Sequence, residues 1–303
     1  MGTAEPTPTQ GEKTANRPRS RGVFFWRGFL LFVVVSLIMA AMRIGSFPEE
    51  MARWHMAAAE NHADVNDFVA AEQSLQDAAS WDEDNPDIYL IRASWHAKKK
   101  EDARELEAIQ AAIDIAPNRP NGYVARNDYY EKRKQIAKTL PDCDELVRLY
   151  EEEGVRDYFS YKYGTKSLQP FNRRAYHRAL ANEKIAEGLE DANKSIEIFG
   201  KSFAVLDTRG FLYYRQGDHE KAIRDLDLAV RGQAGRVKKI EKQYKADKSG
   251  LYRDQLLFDQ RTLAILILHR MHVLEALGED EKATSDRKQI VELGYDPDNK
   301  DLH

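Results

Sequence analysis

Between Leu206 and Ala229 the chain reads LDTRGFLYYRQGDHEKAIRDLDLA, with small residues at Gly210, Gly217, Ala222 and Ala229 set among aromatic and charged ones. Apolar and small positions follow a helical period on both sides of Gly217. Gly210 and Tyr213 lie one turn apart before it, and Ala222, Leu226 and Ala229 share one face after it. The pattern predicts two antiparallel helices in close contact. Gly217 supplies the left-handed residue that stops the first helix, and Asp218 caps the second. Such a pair carries an apolar face it cannot bury alone, so copies are expected elsewhere in the chain.

A thirty-four-residue ruler starting at Phe203 finds them. Pro86 and Pro120, Tyr89 and Tyr123, and Ala78 and Ala112 are each thirty-four apart, while Asn66, Phe68, Ala71 and Leu75 take the places of Gly217, His219, Ala222 and Leu226. Met271, Leu274, Gly278, Asp280 and Ala283 repeat the phase in a closing unit from about Ala264. Ala175, Tyr176 and Ala179, followed by Gly188, Ala192 and Ile196, form a looser copy. From Pro120 to Glu153 the pattern degenerates, and a second helix is expected to start at or just after Pro141, with Asp142, Asp144 and Glu145 in its first turn.

Leu206, Gly210, Tyr213, Gly217, Ala222, Leu226 and Ala229, with Tyr89, Ala93, Ala112 and Pro117 in an earlier copy, resemble the tetratricopeptide repeat (TPR) pattern. The match covers roughly Ala52 to Asp298 and departs from the family at Glu105, where a small residue is expected, and across Pro141. An N-terminal apolar run, a polar insert and a closing ELGYDPD are similar to bacterial membrane-anchored members. The resemblance implies an all-α solenoid of about five or six antiparallel helix pairs. It also implies a concave face lined by the first helix of each pair and suited to a protein or peptide partner. Carried onto this chain, the family's groove positions select Arg173, His177, Asp207, Phe211, Tyr214, Arg215 and His272. The alternative at these positions is packing of Phe211 and Tyr214 between repeats and a surface pair of Asp207 with Arg215.

Upstream of the repeats, residues 1–22 have no large apolar side chain after Met1 and are expected to form a disordered cytoplasmic tail. Residues 23–42, VFFWRGFLLFVVVSLIMAAM, would span roughly 30 Å as a helix, and we expect one transmembrane helix there, a cleaved signal peptide being the rival. Lys13, Arg17, Arg19, Arg21 and Arg27 outnumber Arg43 and Arg53 on the other side. That asymmetry keeps the N-terminus cytoplasmic and makes the repeats exoplasmic, periplasmic in a bacterium. The expected divisions that follow are a first block over 43–153 and an aromatic linker, GVRDYFSYKYGTKSL, over 154–168. A second block over 169–236, a basic helical insert over 237–263 and a closing unit over 264–303 complete the chain.

Composition adds exclusions. Charged residues make up 32% of the chain with a net charge of −4, so no global field points to nucleic acid. The single Cys143 can form neither an intramolecular disulfide nor a zinc site with a second Cys, and is expected to be a small buried hydrophobe. No phosphate-binding Gly loop, HExxH, CxxC or nucleophile elbow occurs. His269 and His272 could share a metal only with ligands from elsewhere, and a structural or surface role is expected for them. The run Asp82, Glu83, Asp84 and Asp87 lacks the Gly and distal Glu of a calcium loop and is expected to close one repeat and cap the next. Trp54, Trp81 and Trp95 are expected in packing, and Asn193-Lys194-Ser195 is a formal glycosylation acceptor on a helix. The expected function is a non-catalytic, membrane-tethered scaffold with a protein or peptide partner and no cofactor, metal, nucleic acid or small-molecule substrate. The alternatives are a permanent structural or assembly subunit of a cell-envelope membrane complex and, behind it, a metal-dependent enzyme.

Overall fold

The structure, a computed structural model, describes residues 47–152 and 169–299 together with Val33 and Leu302. The expected tail over 1–22, the apolar span over 23–42 apart from Val33, and the linker over 154–168 lie outside the described residues. No helix among the described residues is long and apolar enough to cross a membrane.

Those residues hold twelve α-helices and no strand. They run as α1 Phe47–Asp64, α2 Phe68–Trp81, α3 Pro86–Lys98, α4 Asp102–Ile115, α5 Pro120–Lys132 and α6 Leu140–Glu151, then α7 Pro170–Ala181, α8 Ile185–Phe199, α9 Phe203–Gln216, α10 His219–Ala246, α11 Gly250–Ala276 and α12 Asp280–Glu292. Short connections join them as helix pairs, first helix odd-numbered and second even-numbered. A first compact unit ends at Glu83 and contains α1 and α2; a second begins at Asp84 and contains α3 to α12.

Each pair turns through a left-handed residue, and in two of them an aspartate side chain caps the second helix. Gly217 ends α9 at φ 86°, and the Asp218 side chain accepts a hydrogen bond from the Lys221 amide to start α10. In the first unit Asn66 turns left-handed at φ 63° and Asp67 accepts from the Ala70 amide. Lys100 and Lys134 occupy the same left-handed turn at φ 58° and 57°, thirty-four residues apart, although neither is a glycine. A side chain in that region costs on the order of 1–2 kcal/mol, which the packing of the joined helices must offset. Helix α3 is capped by Asn85, whose side chain accepts from the Asp87 amide, and Pro86 fills its first turn. The cap is thus the one amide within the acidic run and not one of its carboxylates.

Close approach explains the small residues. A Cβ on Gly210 would lie 2.7 Å from Leu226 Cγ and 3.2 Å from the Ala222 carbonyl oxygen, so α9 and α10 meet only because that position is bare. Pro141 sits in the first turn of α6, after a 3-10 turn over Ile136–Thr139, where its missing N–H leaves no bond unmade. Glu105, where a small residue was expected, is buried and accepts from Arg133 Nη2 at 2.8 Å, while the Arg133 guanidinium covers the Tyr129 ring at 3.7 Å. Trp95 is buried and Trp81 half-buried, but Trp54 is 63% exposed and takes no part in a core.

Four successive pairs are tied by one repeated clamp. Arg126, Arg174, Arg209 and Arg270 on the first helices each grip an aspartate on the second helix of their own pair through Nε and Nη2: Asp142, Asp191, Asp225 and Asp286. The remaining Nη1 donates to the second helix of the preceding pair, at Gln110, Asp144, Asn193 and Asp227 respectively. Burial opposes the charge at all four guanidiniums and is the largest single influence at Arg174 and Arg270, but the carboxylates together hold every one above its ordinary pKa, with the hydrogen bond to aspartate dominant for Arg126 and Arg209. One side chain therefore joins three helices in a planar, bidentate geometry that lysine cannot reproduce. Asp286→Ala, which strands the Arg270 guanidinium in the structure, should lower the unfolding free energy by about 3 kcal/mol in urea denaturation. Arg270→Lys should not preserve stability despite keeping the charge.

Candidate functional site

The seven sequence-selected residues lie on α7, α9 and α11, and the structure treats them unequally. Arg209 and Asp225 are sixteen residues apart, whereas Arg174 and Asp191, making the same clamp, are seventeen apart. The turn from α7 to α8 holds the extra residue, with both Asn182 and Lys184 left-handed at φ 55° and 48°. Along α7 the thirty-four-residue ruler is therefore one residue out. Asn172 and Tyr176, rather than Arg173 and His177, take the places that Asp207 and Phe211 hold on α9.

Asp207 and Phe211 are built into the contact between consecutive pairs. Asp207 is buried and its Oδ1 lies 2.8 Å from His269 Nδ1 on α11. The His269 ring, fully buried, stacks on Phe211 with centroids 4.4 Å apart and planes 9° apart. Asp207 is therefore not paired with Arg215. The Arg215 guanidinium lies instead over the Phe211 ring at 4.8 Å, and the Tyr214 ring stacks near parallel to the same ring. Arg215 is exposed and Tyr214 half-exposed. Of the two alternatives for the aromatic positions, Phe211 packs between repeats and Tyr214 remains reachable.

On α7, Arg173 Nη2 pairs with Asp128 of α5, and His177 is buried against α5 and α6. Cys143 Sγ is 3.2 Å from His177 Nδ1, and His177 Nε2 is 3.1 Å from Glu131 Oε2. Burial pushes the Cys143 thiol up to about 12, so it stays protonated and donates to Nδ1, which leaves Nε2–H to donate to Glu131. Asn127 Nδ2 donates to the same sulfur at 3.2 Å. The hydrogen bond from His177, with the charge of Arg173 behind it, holds the Glu131 carboxyl below the usual carboxylate range. Burial, followed by the carboxylates of Asp207 and Glu131, pushes the half-buried Tyr176 phenol up.

Among the described residues, two polar atoms on α7 are buried without a protein partner, Asn172 Oδ1 and Arg173 Nε. Sequence reasoning missed Asn172 and Tyr176, and the sixteen-versus-seventeen spacing of the clamp is the signal that finds them. His272, half-exposed, sits 3.3 Å from Glu275 on its own helix, while His269 is committed to Asp207, so the two rings do not converge on a common ligand. Among the described residues no group of three or more His, Cys, Asp or Glu could hold a metal. A thiol raised to about 12 cannot serve as a thiolate nucleophile near neutrality.

No family model and no curated protein sequence matches the chain. Among solved structures, PilF of Pseudomonas aeruginosa is similar at a TM-score of 0.52 and 13% identity, over 81% of this chain and 93% of that one. PilW, a widely conserved type IV pilus biogenesis factor, aligns at 0.49 and 14%, over 83% and 96% of the two chains. A tetratricopeptide repeat protein from Parabacteroides merdae aligns at 0.48 and 17%, over 84% and 96%. At these identities the likeness is one of fold, and the fold is TPR-like.

Two tests follow from the buried contacts. Cys143 should resist alkylation in the native protein and react at the rate of global unfolding, so thiol trapping and denaturation should report one transition. Glu131→Gln should flatten the acid limb of stability. Because the folded carboxyl is depressed, its contribution is present above about pH 4.5 and lost as pH falls through the lower folded value. The effect should stay under about 1 kcal/mol, since the Glu131 side chain is 40% exposed.

Proposed function

We propose that this TPR-like protein is a non-catalytic scaffold that holds a protein or peptide partner against the face formed by its first helices, with Asn172, Tyr176, Tyr214 and Arg215 as the contacting residues. The observation that carries the reading is the pair of unpartnered buried polar atoms, Asn172 Oδ1 and Arg173 Nε, beside half-buried Tyr176. A buried acceptor and donor left unmade are costly, and the amide groups of an extended partner segment can satisfy both. Exposed Arg215, steadied over Phe211, adds a cation at the rim, and Tyr214 adds a rigid amphipathic surface of the kind that dominates binding energy. Residues 23–42 tether the scaffold to a membrane, with its repeats on the exoplasmic side; the charge asymmetry around that run supports this orientation.

The variants that test the face must spare the core. Phe211→Ala should cost about 3–5 kcal/mol through lost packing and cannot separate binding from folding. A photo-crosslinking residue at position 214 in the full-length protein in native membranes should instead capture a discrete adduct, and Arg215→Glu in the same background should remove it with helix content unchanged. The same crosslinker at position 228, on the outward side of α10, should capture nothing. Adducts from 228 and none from 214 would move the working surface to the second helices.

A further inference from the structure

Helices α10 and α11, with 28 and 27 residues, are about twice as long as the other helices of the second unit, and their distal halves form a hairpin closed by the turn Asp247–Ser249. The hairpin is firmly built. Gln233 Nε2 donates to the Asp259 carbonyl oxygen at 2.9 Å, and Arg236 Nε donates to Asp259 Oδ2 at 3.0 Å, both across the pair, with Val237 buried between the helices. Its outer face has a different chemistry. Between Arg231 and Arg261 stand nine cationic and four acidic side chains, in a chain whose net charge is −4. Lys238, Lys242 and Lys245 recur at helical spacing on the exposed part of α10, away from the buried Gln233 and Val237, and Lys248 follows in the turn. All four are exposed, and among the described residues none has a carboxylate partner. Leu251, three positions beyond Lys248, is 76% exposed.

We propose that this hairpin tip is a docking surface for an anionic phospholipid bilayer, with Lys238, Lys242, Lys245 and Lys248 at the level of the headgroup phosphates and Leu251 inserted beneath them. Charge complementarity selects an anionic occupant. The residue types select a lipid surface over a folded acidic partner. Lysines are point charges without the fixed fork that recognises one carboxylate at one angle, so they suit a laterally mobile layer of phosphates. An exposed apolar side chain beside the hairpin turn, close in sequence to exposed lysines, is suited to enter the acyl boundary while the long lysine stems remain at the interface. This docking uses none of the residues proposed to contact a protein or peptide partner, Asn172, Tyr176, Tyr214 and Arg215.

The test places an environment-sensitive fluorophore on Leu251→Cys in the full-length protein, reconstituted in vesicles of phosphatidylcholine alone or with phosphatidylglycerol. Cys143 is buried with its thiol raised and remains unlabelled. The expected result is a blue-shifted emission, quenched by lipid-borne quenchers, in the anionic vesicles only, and lost in high salt. Lys238→Ala/Lys242→Ala/Lys245→Ala should reduce tip contact by on the order of a hundredfold, since each lysine near an anionic leaflet contributes roughly fivefold. Circular dichroism of the triple variant should be unchanged, because the three side chains are exposed and alanine keeps the helix. Equal emission in both vesicle types would overturn the proposal. So would a probe that ignores phosphatidylglycerol and shifts on addition of polyglutamate, which would reassign the hairpin to an acidic protein segment.

Discussion

The guanidinium that ties a helix pair to itself and to the pair before it is the constraint on which the second unit depends. Apolar burial brings α5 to α12 together, but small and aliphatic contacts between helices tolerate sliding by a turn. A bidentate Arg–Asp grip does not, because both nitrogens must meet both oxygens in one plane. Asp142, Asp191 and Asp286 are nearly inaccessible, at 3%, 6% and 3% side-chain exposure, so each charge is stable only while its arginine stays in place. The third bond, from Nη1 to the preceding pair, turns a set of local clamps into a register that runs from Gln110 to Asp286.

The parts of this architecture that repeat were legible in the sequence, and the parts that depend on neighbours were not. Gly210, Gly217, Ala222 and Leu226 announce their pair because each answers a local steric demand, and Gly210 does so against Leu226 within one pair. Lys100 and Lys134 turn left-handed at the right interval but carry no compositional mark of doing so. The extra residue between Asn182 and Lys184 shifts α7 by one position, which the loose apolar pattern absorbed without trace and only the paired charges expose. Asp207 and His269 are sixty-two residues apart, and no spacing rule joins them, since the distance includes the elongation of α10 and α11. Their contact follows from how one pair stacks on the next.

That stacking decides which side chains remain for a partner. Asp207 and Phe211 lie on the same side of α9 as Tyr214 and Arg215 but are consumed by contacts between pairs. The buried Asp207–His269–Phe211 group gives Arg215 and Tyr214 a stiff backing, so little side-chain freedom remains to be lost when a ligand arrives. The same economy separates the two surfaces of the molecule. The first-helix face offers few groups in fixed positions, while the hairpin offers many like charges on flexible stems.

The clamp register also has a direction, since every arginine reaches backwards along the chain. The receiving residue lies two positions after the gripped aspartate, as in Asp142 and Asp144, Asp191 and Asn193, or Asp225 and Asp227. Two positions after Asp286 stands Lys288, 78% exposed at its side chain and directed towards Glu292. An arginine approaching in the same way would there meet an ammonium in place of an oxygen. Head-to-tail addition of a further copy requires an end that complements the incoming one. Lys288 offers no acceptor oxygen to a further guanidinium, so the clamp register has no receiving group beyond Asp286 of the kind found at Asp144, Asn193 and Asp227.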